Sequence, residues 1–270
     1  MTQNDKVFSG SIPEIYDRYM VPMFFEPYAE DMARRVSGTG AKNVLETAAG
    51  SGVVTRALTK LLPEDAYYTV TDLNQPMLDR AMNQQPRDKR HMWQQADAMS
   101  LPFEEGVFDA VCCQFGVMFL PDKAAGFREA RRVLAPEGTL IFNVWDHIDS
   151  NSFAKIATET AAVFFPDDPP RFMVRTPHGY HDPDSVKADL AEAGFSDVSF
   201  ETQEKESVSG SAWDAAYALC QGTPLRNEIL ERNESLLDKV TEAVADAFSE
   251  RFGAGSIAGK MQAHVFSAVK

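Results

Sequence analysis

Through the first half of the chain, short apolar runs that end in small or acidic residues alternate with stretches of helical period. Val44 and Leu45 make the first such run, ended by Glu46; a turn of small residues follows (Ala48, Ala49, Gly50, Ser51, Gly52), and a helix starts at Val53 and runs through Leu58 and Leu61. Tyr67–Thr71 alternates, is rich in β-formers and ends in Asp72, while Pro76 suits the first turn of the next helix. His91–Gln95 reads as a third strand. Val107–Gln114 reads as the fourth and most apolar, as a strand buried on both faces of a parallel sheet should be. Lys123–Leu134 is a helix with arginines near its C-terminal end, where cations complement the helix dipole. Pro136-Glu137-Gly138 then turns the chain into a fifth strand, Thr139–Trp145. Five alternations of strand and helix predict an α/β fold, a doubly wound parallel sheet with right-handed crossovers.

The flanks are less regular. Residues 7–37 predict two short helices, Pro13–Tyr19 and Glu26–Val36, whose Tyr16, Tyr19, Phe24 and Phe25 either pack a helical cap or form a lid over a ligand. Ser152–Phe165 reads as helix, 166–183 as a proline-dense loop, and Pro183–Ala193 as a helix closed by Gly194 in a C-cap role. Val198–Thr202 alternates weakly as a strand. Helices are expected over Ser211–Cys220 and Leu225–Phe252, and a last strand over Met261–Val269. No repeat or linker divides the chain, so one domain over 1–270 is expected. Its core would be 40–146, and 7–37, 152–183 and 211–252 would be helical segments covering the substrate.

Composition narrows the function. The 270 residues are 44% hydrophobic and 24% charged, ordinary for one large domain or a domain with a cap. A net charge of −14 leaves no basic stripe for nucleic-acid phosphates and disfavours anionic membrane surfaces. Three cysteines make no disulfide framework, and the adjacent pair Cys112 and Cys113, within an apolar strand, reads as core. The start, M-T-Q-N-D-K, lacks the basic-then-apolar pattern of a signal peptide. The longest apolar stretch, 107–120, is broken by Asp109, Gln114 and Gly116 and is too short to span a bilayer. A cytoplasmic protein without membrane insertion or a nucleic-acid partner is expected.

The chemistry gathers at the strand ends. Small residues where a strand becomes a helix let a ligand sit on bare backbone, facing the helix N–H groups. Asp72 stands 20 positions after Gly52 at the end of the second strand, where a carboxylate can accept the hydroxyls of an adenosine ribose. Asp97 ends the third strand and either accepts from an adenine amino group or caps the following turn. G-A-G-S-I-A-G-K-M (253–261) imitates a phosphate loop, but Ala254 and Met261 stand where that loop needs glycine and Ser/Thr.

Five stretches, E-T-A-A-G-S-G, T-D-L-N-Q-P-M-L, A-D-A-M-S-L-P-F, F-D-A-V-C-C-Q-F-G-V-M-F and R-R-V-L-A-P-E-G-T-L-I-F, fall in order over residues 40–146. Together they resemble the class I S-adenosylmethionine-dependent methyltransferases, particularly the small-molecule branch that includes ubiquinone/menaquinone-biosynthesis enzymes. The resemblance implies a Rossmann-like sheet of seven strands, the last antiparallel, and S-adenosyl-L-methionine as cofactor. It implies that Glu46 and the Ala48–Gly50–Ser51–Gly52 turn face the methionine part and that Asp72 holds the ribose. Leu73 and Met77 would flank the adenosine, Asp97 and Ala98 would meet the adenine, and Gln114 would lie near the transferable methyl. Tyr16 joins this set as the lid candidate. One departure stands out: Ala48 occupies the first glycine of the family's acid-x-Gly-x-Gly-x-Gly motif, and its small methyl should be tolerated.

Methyl transfer from a sulfonium is an in-line displacement, in which holding the acceptor about 3–3.5 Å away supplies much of the acceleration. A protonated acceptor also needs a base. His147, His178 and His181 are the candidates; each also reads as a surface or packing histidine, and without further ligands His178 and His181 do not make a metal site. Two other functions share the motifs: a cofactor-binding protein without turnover, and a nicotinamide oxidoreductase. The second lacks the usual tyrosine with lysine four residues on. Q-F-G-V after the fourth strand, in place of N-P-P-Y, argues against nucleic-acid bases as acceptor. The expected partner is a small-molecule acceptor, with the protein a monomer or homodimer.

Overall fold

The computed structural model describes residues 12–270, with side chains from Glu14 onward. Residues 7–11 of the first expected helical segment lie outside the described residues. The chain forms two compact units. One comprises Glu26–Val144, Tyr180–Gln203 and Ala263–Lys270; the other comprises Trp145–Gly179, Glu204–Gln262 and the described residues up to Phe25.

The first unit is built on the sheet. Its strands are β1 (Asn43–Glu46), β2 (Tyr67–Asp72), β3 (His91–Gln95), β4 (Phe108–Gln114), β5 (Leu134–Trp145), β6 (Asp197–Ser209) and β7 (Ile257–Val269). The last three run on into the second unit. The order is β3-β2-β1-β4-β5-β7-β6. β1 to β5 pair in parallel, and β7 runs antiparallel to both β5 and β6. This is the expected seven-stranded sheet with its last strand reversed. The strand order turns back between β1 and β4, which is where open α/β sheets leave a crevice beyond the strand ends.

Alternation decides which side chain goes where. Val44, Tyr68, Val70, Ala110 and Cys112 share a buried cluster with Ala29, Met32 and Val36 of α2 (Glu26–Gly38), Val54 and Leu58 of α3 (Val53–Thr59) and Leu78 of α4 (Gln75–Asn83). Beyond β5, rings knit the sheet to α5 (Lys123–Val133). Phe127 lies 5.0 Å from Phe142, which stacks at 5.2 Å on Phe266, itself stacked at 5.3 Å on Phe200. α8 (Pro183–Glu192) starts with the expected Pro183 behind Asp182, whose carboxylate accepts from Asp184 and Ser185 N–H. Gly194 just beyond it takes φ +92, a conformation glycine adopts freely.

In the second unit, α1 (Ile12–Ile15) leads into a π-helical stretch, Tyr16–Phe25, so helix extends past the expected stop at Tyr19. Pro22 inside it has no N–H to give, and a wider helix accommodates that gap. Phe24, Phe153 of α6 (Ser152–Val163) and Phe248 form the aromatic centre, and the bare Gly259 admits the Phe153 ring, which an added Cβ would meet at 2.7 Å. Glu228 is buried and accepts the N–H groups of Arg171 and Phe172, capping α7 (Phe172–Arg175), a short helix within the expected loop.

Further boundaries differ from expectation, and β7 starts at Ile257, ahead of the expected Met261. Pro136-Glu137-Gly138 is a bulge inside β5: Glu137 takes φ +65 and the β4–β5 register shifts between Phe108 and Ala110. The expected 225–252 helix is α10 (Leu225–Asn233), a 3-10 turn and α11 (Leu237–Phe252), since extended Asn233 caps Ser235 N–H through its own side chain. β6 runs well past Thr202, because an edge strand with charged exposed residues such as Glu201 and Glu206 needs no apolar alternation. The remaining helix is α9 (Ala212–Gln221). The phosphate-loop imitation spans a glycine turn at Gly253 and Gly255 and the start of β7, with no helix after it.

Arg90 shows how the helix-to-strand returns are secured. Its guanidinium donates to the carbonyls of Thr59 (2.9 Å), Leu62 (2.8 Å) and Pro63 (3.2 Å) at the end of α3, while Asp88 holds its other face. Arg90→Ala is expected to lower unfolding free energy by about 1–3 kcal/mol, the usual cost of stranded carbonyls. Urea unfolding measures it, and an unchanged midpoint would contradict the capping role.

Candidate functional site

The loops that follow β1 to β4 meet at the carboxyl ends of those strands. Ala49 N–H donates to the Thr71 carbonyl at 3.0 Å, and Gly50 N–H to Asp72 Oδ2 at 2.8 Å. Asp72 Oδ1 accepts from Asn74 N–H at 2.8 Å. The Asn74 side-chain amide also reaches Oδ1, at 3.5 Å, so the Asp72 carboxylate, 6% exposed, holds the small-residue turn against the next loop while Oδ2 keeps a second acceptor site. Burial raises its pKa, and the two backbone donors pull it back.

Glu46 is 2% exposed. Its Oε2 accepts the Thr55 hydroxyl at 2.6 Å and the Tyr68 hydroxyl at 2.5 Å. Burial pushes the carboxyl up to about 7, while the two hydroxyls pull the other way. The motif acid is therefore engaged with α3 and β2. Alternation carries the signal for this: Val44 and Glu46 share the face that α3 covers, and the register sets Val44 beside Tyr68. Nothing in the sequence pattern singles out Tyr68 or Thr55 as partners of this acid.

Ala48 has φ +52, in the left-handed region that costs an L-residue about 1–2 kcal/mol. A Cβ on Gly116 would lie 2.5 Å from the Ala48 methyl and 2.7 Å from Cys113 Sγ. The alanine is thus accommodated because the facing residue after β4 is glycine, a second position the sequence did not single out. Phe115 between them also takes positive φ (+51); its N–H donates to Asn143 Oδ1 at 2.8 Å. Ser51 Oγ is buried without a hydrogen-bond partner among the described residues. Gly52 carries φ +80, and a Cβ there would meet the Ala81 methyl at 2.9 Å.

The other expected residues fall around the same loops. Met77 is buried, its Cε 3.7 Å from where a Gly50 Cβ would stand. Leu73 is 44% exposed, an apolar side chain left open beside the turn. Asp97 accepts from Met99 N–H at 2.9 Å through Oδ1, so it caps the following turn with one oxygen. Ala98, Thr47, Ala48, Gly116, Val117 and Leu120 border a small, mainly apolar gap that continues under α5 between the buried Leu101, Val111, Phe127 and Leu140. Gln114 ends β4 and is half-buried.

In the second unit, Tyr16 stacks on Phe25 at 5.0 Å, and Phe25 meets Trp145 at 6.2 Å. His178 is buried with Nδ1 at 2.8 Å from the Asp146 carbonyl. His147 is exposed and accepts Asp149 N–H at 3.3 Å. His181, in the sheet unit, is half-buried. Among the described residues no group of three or more His, Cys, Asp or Glu could hold a metal ion. Nor is any helix among them long and apolar enough to cross a membrane.

A mainly parallel sheet with bare backbone after β1, a buried acid after β2 and a strand order that turns back between β1 and β4 defines a nucleotide-cofactor-binding protein. An orphaned serine hydroxyl between two glycines at positive φ fits a polar cofactor laid against the backbone. Residues 45–142 match the family described as Methyltransferase domain. The ubiquinone/menaquinone biosynthesis C-methyltransferase of Proteus mirabilis is 28% identical over 172 residues, 59% of this chain and 68% of that protein. Two crystal structures share the fold. The YcgJ protein of Bacillus subtilis has a TM-score of 0.58 at 15% identity over 90% of this chain and 98% of that one. Haemonchus contortus phosphoethanolamine N-methyltransferase 2, in complex with phosphomonomethylethanolamine and S-adenosylhomocysteine, has 0.59 at 16% over 98% and 59%. The domain match and these relatives support a class I S-adenosylmethionine-dependent methyltransferase.

The contact between positions 48 and 116 gives a thermodynamic cycle. Ala48→Gly relieves the left-handed strain and is expected to stabilise by roughly 0.5–1 kcal/mol after the entropy of glycine is counted. Gly116→Ala should destabilise by roughly 1–3 kcal/mol as an overpacked site, and less in the Ala48→Gly background. Additive effects in chemical denaturation would contradict the contact.

Proposed function

We propose that the protein transfers the methyl group of S-adenosylmethionine to a small organic acceptor by in-line displacement, in the cytoplasm. The observation that carries this reading is Asp72: a buried carboxylate that holds Gly50 N–H with one oxygen and Asn74 N–H with the other, beside an exposed apolar Leu73. When bound, S-adenosylmethionine supplies an electrophilic methyl on a sulfonium. In this reading the Asp72 carboxylate receives the ribose hydroxyls, with the long 3.5 Å bond from the Asn74 amide giving way at Oδ1, and Leu73 and Met77 cover the adenosine. Asp97 offers its free oxygen, with Ala98, to the adenine. Ala48, Gly50, Ser51 and Gly52 present backbone and the Ser51 hydroxyl to the methionine end, with Glu46 and Gln114 beside it, and Tyr16 acts as a lid. His147, His178 and His181 are the candidate bases. The three buried free thiols, Cys112, Cys113 and Cys220, agree with a reducing compartment.

Calorimetric titration with S-adenosylmethionine, S-adenosylhomocysteine and NADH tests the reading. Binding of the two sulfur ligands without NADH is expected, and Asp72→Ala should weaken it by about 1–3 kcal/mol, the cost of an unmade buried polar contact. Binding of NADH alone would overturn it.

Acceptor choice belongs, in this proposal, to 7–37, 152–183 and 211–252, which lie outside the family-matched residues 45–142. Replacing 152–183 by the corresponding segment of a relative should change which phenols, quinols, amines or thiols take up methyl. An unchanged preference would return acceptor choice to the sheet unit.

A further inference from the structure

Two buried carboxylates, Glu46 and Asp72, close the ends of neighbouring parallel strands around one turn. Their hydrogen bonds come from neutral donors: the Thr55 and Tyr68 hydroxyls for Glu46, the Gly50 and Asn74 N–H groups and the Asn74 side-chain amide for Asp72. The charged and titratable groups facing Glu46 are few. β2 supplies Tyr68 and Asp72, α3 supplies Arg56, and β4 supplies Cys112 and Cys113. Arg56 has the weakest of the influences named for Glu46, and it donates to the Ser51 carbonyl at 2.6 Å. Negative charge is thus concentrated where little positive charge balances it, and a buried carboxyl so placed favours its neutral form.

A cationic ligand changes that balance. We propose that Glu46 couples cofactor loading to proton release: its carboxyl gives a proton to solvent when a sulfonium-bearing cofactor binds, so the site favours S-adenosylmethionine over S-adenosylhomocysteine increasingly as pH rises. The coupling rests on the cofactor reading above and adds a role for Glu46 that differs from ligand contact. The O–H bond of the carboxyl breaks, the proton leaves to buffer, and the carboxylate stays hydrogen-bonded to Thr55 and Tyr68. Its neighbours do not compete near neutrality. Burial raises Tyr68 and Cys112 well above their ordinary values and Cys113 to about 11, whereas Glu46 stands at about 7. Burial raises Asp72 as well, while the Asn74 and Gly50 backbone N–H groups favour its charged form, and its effect is separated from that of Glu46 by the Glu46→Gln variant below.

The sign follows from linkage. Below about pH 6 Glu46 is protonated, and the cation must bind by displacing the proton; above about pH 8 the carboxylate is already charged and no proton leaves. S-adenosylmethionine affinity therefore rises with pH and levels off, while that of the product, which lacks the sulfonium charge, changes less.

Titration calorimetry at about pH 7 in phosphate and in Tris, whose ionisation enthalpies differ, counts the protons exchanged. Expected are release of a fraction of a proton with S-adenosylmethionine, little with S-adenosylhomocysteine, and an affinity ratio that widens several-fold between about pH 6 and pH 8. Glu46→Gln should abolish both effects. Tyr68→Phe, which removes one donor to the carboxylate, should shift the affinity curve to higher pH and serves if the first variant does not fold. Binding without proton exchange, equal exchange with both ligands, or an unchanged pH slope in Glu46→Gln overturns the proposal and leaves the cofactor reading intact. Failure of both ligands to bind overturns both.

Discussion

The bond from Gly50 N–H to the Asp72 carboxylate is the constraint on which the site depends. It joins the turn after β1 to the loop after β2, so neither can move without exposing or stranding a buried charge. Losing such a partner costs more than forming the bond gains, because the carboxylate stays buried and unsatisfied. With Ala49 N–H on the Thr71 carbonyl and Thr71 Oγ1 on the Glu46 carbonyl, the two loops behave as one piece. The backbone that would receive a cofactor is thereby set before any ligand arrives, which spares the ordering cost at binding.

Small residues do the complementary work. Gly50, Gly52 and Gly116 leave backbone bare on both sides of the crevice, and Gly52 lets α4 come close through Ala81. Ala48 breaks the pattern at a left-handed position, and the fold absorbs it by leaving Gly116 without a side chain. Strain of this kind at a ligand-facing turn persists only where the surroundings over-determine the conformation. Here the bonds from Ala49 and Gly50 to β2 supply that determination.

Much of the sheet was legible because its strands are short, buried and ended by chemistry. β1, β2 and β4 begin and end within a residue or two of expectation, since burial forces apolar runs on them; β3, a half-exposed edge strand, also begins and ends where expected, from its short run of β-formers. The second half was less legible. The edge strand β6 carries Glu201, Glu204, Lys205 and Glu206, so its length rests on backbone pairing and not on apolar pattern. The α10–α11 break hangs on the side chain of Asn233, and the β5 bulge on Glu137 at positive φ; neither leaves a periodic trace. At the site, residue identities were legible but directions were not. Glu46 was readable as a motif acid, yet its engagement with Tyr68 and Thr55 required knowing that α3 covers the same face of β1 and β2. Asp97 resolves into a turn cap that keeps one oxygen uncommitted by that bond.

The central claim is that one pre-set crevice, formed by the loops after β1 to β4, receives the cofactor. Amide hydrogen exchange with and without S-adenosylmethionine addresses it most directly, because the exchanging groups are the backbone N–H groups that make the cradle. The account predicts slowed exchange at 47–52, 72–77, 97–99 and 114–117, with little change in the strands beneath, which are already protected. Unchanged exchange in those loops despite saturating ligand, or protection concentrated in segments remote from them, would contradict it.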